Sequence, residues 1–125
     1  MKIKNKDEIS LQWLFKQSSP DRWNLNDADL ASFLGINEEL IEKFKEDIEQ
    51  GKRIELTNDI CTRLSTLLGI HKAIYEISPH GQEYLFFTSP NSGDFFKGLS
   101  IKEFLIKEAT TGALAKVKAW LSSNI

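Results

Sequence analysis

The chain has 125 residues, 41% of them hydrophobic and 27% charged, which is enough for one core or for two small helical lobes sharing one. Its net charge of −2 gives no global attraction to nucleic acid, so any DNA contact has to come from a local patch. One cysteine makes an internal disulfide impossible, no window nears the roughly 18 apolar residues of a membrane span, and the opening MKIKNKDEISL lacks the apolar core of a secretory signal, so the expected home is a reducing cytoplasm.

Taken in chain order, Glu8 to Ser18 carries Ile9, Leu11, Trp13, Leu14 and Phe15, the pattern of a short amphipathic helix. Ser18-Ser19-Pro20-Asp21 breaks it. Asn26 then has the short side-chain oxygen that caps a helix, with Asp27 following in the first turn. Residues 27–34 read as one helix, Gly35-Ile36-Asn37 as a turn and 38–49 as a second helix. Ala31 inside the first, Gly35 in the turn and Leu40, Ile41 and Phe44 in the second give helix-turn-helix spacing. The second helix holds Glu38, Glu39, Glu42, Glu46, Asp47 and Glu49 against Lys43 and Lys45. Two glutamates at its start stabilise it through the dipole but would be repelled by phosphates. Lys43, Lys52 and Arg53 are the candidate DNA contacts.

The stretch from Thr57 to Ile77 reads most cleanly as one helix. Apolar residues at Ile60, Cys61, Leu64, Leu67, Leu68, Ile70, Ala73, Ile74 and Ile77 make a stripe broad enough for more than one neighbour. Thr57 or Asn58 supplies the cap, and Pro79 ends the run. Gly69, costly in mid-helix, predicts close approach of another backbone. Cys61 is expected to be a small buried hydrophobe, His71 a core or boundary residue and His80 a solvated one. A further short helix is expected to start at Ser78-Pro79 and run through Tyr84 to Phe87. In the turn-rich SPNSGDFFKGLS, Phe95 and Phe96 either anchor the loop on the core or face a partner. Ser100 and Glu103 form a capping box that opens a helix over 100–108. Thr110-Thr111-Gly112 separates it from a last helix, Ala113 to Ser122, with Leu114, Val117, Trp120 and Leu121 on one face. Five lysines and two glutamates between Lys97 and Lys118 make this end locally basic. Neither a phosphate-binding glycine loop nor metal-ligand spacing occurs, so no enzyme, metal or cofactor is expected.

These motifs resemble the bacterial Xre/MbcA/ParS-type antitoxins. Trp23-Asn24-Leu25 and Phe33-Leu34-Gly35 match that family's W-x-L and L-L-G, and Arg63, Leu67, Leu68, Gly69, Ile70, Lys72, Ala73 and Ile74 match its central-helix motif. Pro90-Asn91, Phe96, Gly98 and Ser100, then Ala113-Leu114, Val117-Lys118 and Trp120-Leu121, answer its toxin-binding end. The likeness runs from about Trp23 to Leu121. It implies a dimeric antitoxin whose C-terminal half covers the active site of a RES-domain toxin, which acts through NAD⁺, and whose N-terminal half represses its own operon. The sequence departs from the family in its acidic second helix, in Ile101 where relatives carry proline, in Thr111 before Gly112, and in the longer loop around Ser92-Gly93-Asp94.

The reading is an all-α protein: a helix-turn-helix region over 1–56, a connecting helix over 57–77 and a toxin-binding region over 78–125. Asn91, Phe95, Lys97, Lys116, Lys118, Trp120 and Ile125 are the expected toxin contacts, the lysines complementing an acidic cleft rim. Two other readings stay open, a sequence-specific repressor acting on operator DNA and a structural dimer that binds no DNA.

Overall fold

The structure is a computed structural model that describes residues 6–78, 81–90, 96, 98–108 and 110–123. Among the described residues it is all-helical: α1 (Lys6–Gln17), α2 (Asp27–Leu34), α3 (Glu38–Glu49), α4 (Asn58–Ile77), α5 (Glu83–Thr88), α6 (Ile101–Glu108) and α7 (Thr111–Ser122).

Helix α1 buries Glu8, Leu11, Leu14 and Gln17, one residue every three along one face. The residues that break it form a hydrogen-bonded coil. Trp23 N–H donates to the Gln17 carbonyl and Leu25 N–H to that of Ser18, which turns both side chains inward. Asn24, between them, holds a left-handed φ of 53°, a conformation asparagine tolerates better than most residues.

Three helix starts follow from short polar side chains. Asn26 accepts from Asp29 N–H at 2.8 Å while the Asp29 carboxylate takes the Asn26 N–H at 3.2 Å. Asn37 accepts from Leu40 N–H at 2.9 Å, and Thr57 from Ile60 N–H at 3.3 Å, so threonine rather than Asn58 caps α4. Between α2 and α3, Gly35 takes φ 68° and Ile36 N–H reaches back to the Ala31 carbonyl, closing the first helix.

Helix α4 is the hub. It packs against α1, α2, α5 and α7, so residues from both ends of the chain meet on it. Its buried positions are Ile60, Leu64, Leu67, Ile70, Ala73 and Ile74. One apolar cluster runs from Leu11 and Leu14 through Trp23, Phe33, Ile41 and Leu67 to Phe87, Phe96, Leu105, Val117 and Leu121.

Several expectations change. Helix α1 starts two residues earlier than expected, with Asp7 and Glu8 in its first turn facing the positive end of the dipole. Ser78 closes α4 instead of opening the next helix, which begins at Glu83. Gly81 lies between them at φ 88°, outside the helical region, so no helix runs through it. Pro79 and His80 lie outside the described residues. Thr110 caps α7 by accepting from Ala113 N–H at 3.0 Å, so that helix includes Thr111 and Gly112. Ser100 and Glu103 form the expected capping box, at 3.0 and 3.2 Å.

Candidate partner-binding surfaces

Of the seven residues expected to touch a toxin, Asn91, Phe95, Lys97 and Ile125 lie outside the described residues, and Lys116, Lys118 and Trp120 share α7. This helix buries Ala113, Leu114, Val117 and Leu121 and lies along α4. Lys116 and Lys118 are exposed on either side of that seam. The Lys118 stem crosses Gly69: a methyl group added to Gly69 would sit 2.7 Å from the lysine Cε. The close approach at Gly69 is thus a lysine stem, not a second backbone. Trp120 is half-buried, its ring edge-on to Phe96 with centroids 4.9 Å apart, and Phe96 is likewise edge-on to Phe104 at 5.4 Å. Phe96 is fully buried, which settles its role as a core anchor.

Of the three DNA candidates, Lys43 lies midway along α3 and Lys52 and Arg53 follow its end, with Lys43 and Arg53 lining one shallow depression. Lys43 pairs with Asp47 at 3.4 Å and Arg53 with Glu55 at 3.2 Å, while Lys52 is exposed. Lys43 and Arg53 therefore bring their own carboxylates to any phosphate. Glu38, Glu39, Glu42, Glu46 and Glu49 are all exposed on α3.

Cys61 is half-buried, its Sγ 3.7 Å from the Asp7 carboxylate. It is not the fully buried hydrophobe expected, because Asp7 stands over it, also accepting Leu56 N–H at 3.0 Å. Burial first, then the Asp7 charge, push the thiol pKa up, which keeps the reactive thiolate scarce at neutral pH.

His71 sits among aromatic rings: Trp13 at 5.6 Å, Trp23 at 6.1 Å and Tyr75 at 5.1 Å, all edge-on. Burial first, then the Arg22 charge, lower its pKa, with Glu83 opposing them weakly. A histidine with a lowered folded pKa favours the folded state as the neutral imidazole. Its contribution is complete above the unfolded value near 6.5 and is lost as pH falls through the window below it. The urea midpoint is expected to drop between about pH 8 and about pH 5.5, and to drop less in His71→Gln. Equal drops in both proteins would clear His71 of the effect.

Sequence reasoning missed two features. One is the role of Arg63, which the sequence offers only as part of the central-helix motif: its guanidinium lies under the Gly35 turn, bonded to Asp59 at 3.0 Å and to the Phe33 carbonyl at 3.4 Å. The other is a groove of about 550 Å³ lined by Arg22, Asn24, Gly81, Tyr84, Leu85 and Lys102, among others. Its residues come from three separate stretches, so no local motif announces it. Among the described residues no group of His, Cys, Asp and Glu is placed to hold a metal, and no helix is long and apolar enough to cross a membrane.

Compared with family models, curated proteins and solved structures, the chain matches none.

Proposed function

We propose that this chain is a neutralising protein that binds and occludes a partner enzyme, as its motif resemblance to the Xre/MbcA/ParS-type antitoxins of RES-domain toxins implies. The observation that carries the reading is α7: an amphipathic helix fastened along the central helix, with Lys116 and Lys118 exposed beside the seam and Trp120 half-buried against Phe96. A half-exposed aromatic is a residue type that interfaces favour, and lysines beside it would mainly speed encounter with an acidic partner. In this reading the chain works as a homodimer in the cytoplasm, needs no cofactor and catalyses nothing itself.

Helices α2 and α3, joined across Gly35, have helix-turn-helix form in this proposal, and α4 is the element the two halves share. Repression of the chain's own operon is the weaker part. The exposed face of α3 is acidic, and the nearby Lys43 and Arg53 are paired with carboxylates. A recognition helix lies between two rows of phosphates, which such a face repels.

Co-expression with the product of the adjacent reading frame tests the proposal. Growth rescue and co-purification are expected for the native chain and for Glu38→Gln/Glu39→Gln. Lys116→Glu/Lys118→Glu is expected to slow association by about tenfold or more and to lose rescue, with unchanged far-UV circular dichroism. Neither rescue nor a complex with the native chain sinks the reading for that pair. Salt-dependent binding to the upstream DNA in its place would favour the repressor.

A further inference from the structure

We propose that Gly69 is a positioning residue for partner binding: it leaves the notch in α4 that seats the Lys118 stem, and so presets where the Lys118 ammonium meets a partner carboxylate. The inference rests on the reading that the α7 face meets a partner enzyme, and adds the residue that prepares this face and the acidic chemistry it selects.

Gly69 stands in the middle of the 20-residue helix α4, where glycine weakens the helix relative to alanine. Its backbone does not require glycine. The positive φ values among the described glycines are at Gly35, Gly51, Gly81 and Gly98, and Gly69 keeps the ordinary helical conformation. Space is the remaining reason. A Cβ at Gly69 would lie 2.7 Å from Lys118 Cε, 3.1 Å from its Nζ and 3.2 Å from its Cδ, so the three nearest atoms all belong to one side chain. The far end of a lysine moves easily, so alanine would be accommodated by lifting the stem off the helix. What the glycine keeps in place is the lysine, not the fold.

A seated stem matters because a surface lysine ordinarily samples many rotamers, and binding has to freeze them. Laid across the α4 backbone, the Lys118 methylenes rest on protein while the ammonium stays in water. The charge around this seat is one-sided. Between Asp59 and Glu76, α4 carries Arg63, His71 and Lys72 and no carboxylate, and α7 carries Lys116 and Lys118 and none. Arg63 is engaged under the Gly35 turn by Asp59 and the Phe33 carbonyl. Lys72 is exposed and lies three residues from Gly69, on the same side of α4. Glu76 is a further turn along, about 10 Å from Gly69 on the helix axis. Among the described residues neither Lys72 nor Lys118 forms an ion pair. Two unneutralised ammonium groups on one side of the seam favour a carboxylate-bearing surface, which relieves their mutual repulsion.

The test has two arms, both on the full chain. In the free chain, carbon-13 relaxation of the lysine Cε groups is expected to show Lys118 more ordered than Lys116. Gly69→Ala is expected to remove that difference while holding or raising the urea midpoint, since the helix gains a stronger helix former. A Lys118 as mobile as Lys116 in the native chain overturns the proposal. So does a midpoint lowered by Gly69→Ala, which would make the notch a packing feature of the fold. In the second arm the product of the adjacent reading frame is the partner. Gly69→Ala is expected to weaken its binding by about two- to tenfold, the range for re-ordering one long side chain. Lys118→Met is expected to weaken it as well, and to leave Gly69→Ala without further effect in the double variant. A native complex whose affinity ignores Gly69→Ala, or an effect that persists in the Lys118→Met background, overturns this inference and leaves the reading of α7 standing. No complex with the native chain overturns that reading and the inference with it.

Discussion

Replacing Trp23 with alanine is expected to lower stability by about 3–5 kcal/mol, the usual range for removing a buried large aromatic. Trp23 is 1% exposed and stacks on Phe87 with centroids 4.1 Å apart and planes 10° from parallel. Its edge contacts reach Trp13 and His71. The side chain thus ties the coil after α1 to α1 itself through Trp13, to α4 through His71 and to α5 through Phe87. Alanine would leave a hole walled by rigid rings and backbone, which cannot collapse cheaply, so the cavity cost adds to the lost transfer energy. Urea unfolding followed by far-UV circular dichroism measures the loss, which corresponds to a melting temperature lower by on the order of 10–20 °C. Trp13→Ala is the useful comparison. That ring is only half-buried and edge-on to its neighbours, so its loss is expected to cost less. If Trp23→Ala cost under about 1 kcal/mol, the packing described around α4 would be wrong.

The all-helical architecture was legible because most segments carry both signals that define a helix, an apolar stripe and a capping residue. Asn26, Asn37, Thr57 and Ser100 each stand one residue before a helix and cap it through a side-chain oxygen. The expected bounds of α2 and α3 coincide with the observed ones for that reason. Errors arose where a residue type fits two local roles. Ser78-Pro79 reads as a helix start, but Ser78 is used as the stop of α4, bonded to the Ile74 carbonyl, and the positive φ of Gly81 delays α5. Thr110 looked like part of a break and is a cap.

The candidate surfaces were less legible than the fold. Surface residues obey no periodicity, and a groove such as that of Arg22, Tyr84 and Lys102 exists only after stretches some 60 to 80 residues apart in the chain are packed together. Charge was readable in amount but not in pairing. Lys43 and Arg53 count as cations in the sequence, and only the fold shows the carboxylates beside them. Gly69 reversed that relation: its need for space was legible, but the occupant, Lys118, lies on another helix.

The second large effect is expected at Gly35, where Gly35→Ala should cost about 2–3 kcal/mol. Two causes act there and a double-mutant cycle separates them. At φ 68° an alanine side chain carries left-handed strain of about 1–2 kcal/mol. Its Cβ would also lie 2.7 Å from the Arg63 Cζ. That guanidinium is held by Asp59 and the Phe33 carbonyl, and the arginine side chain is only 11% exposed. Displacing it sacrifices hydrogen bonding worth about 1 kcal/mol. In an Arg63→Ala background the clash is gone while the strain remains, so the same glycine substitution is expected to cost only the strain part. The measured quantity is the coupling between the two substitutions, expected at about 1 kcal/mol from urea unfolding of the four proteins. No coupling would mean that Arg63 does not brace the turn. A full 2–3 kcal/mol cost surviving in the Arg63→Ala background would place the whole effect in the backbone of the α2–α3 connection.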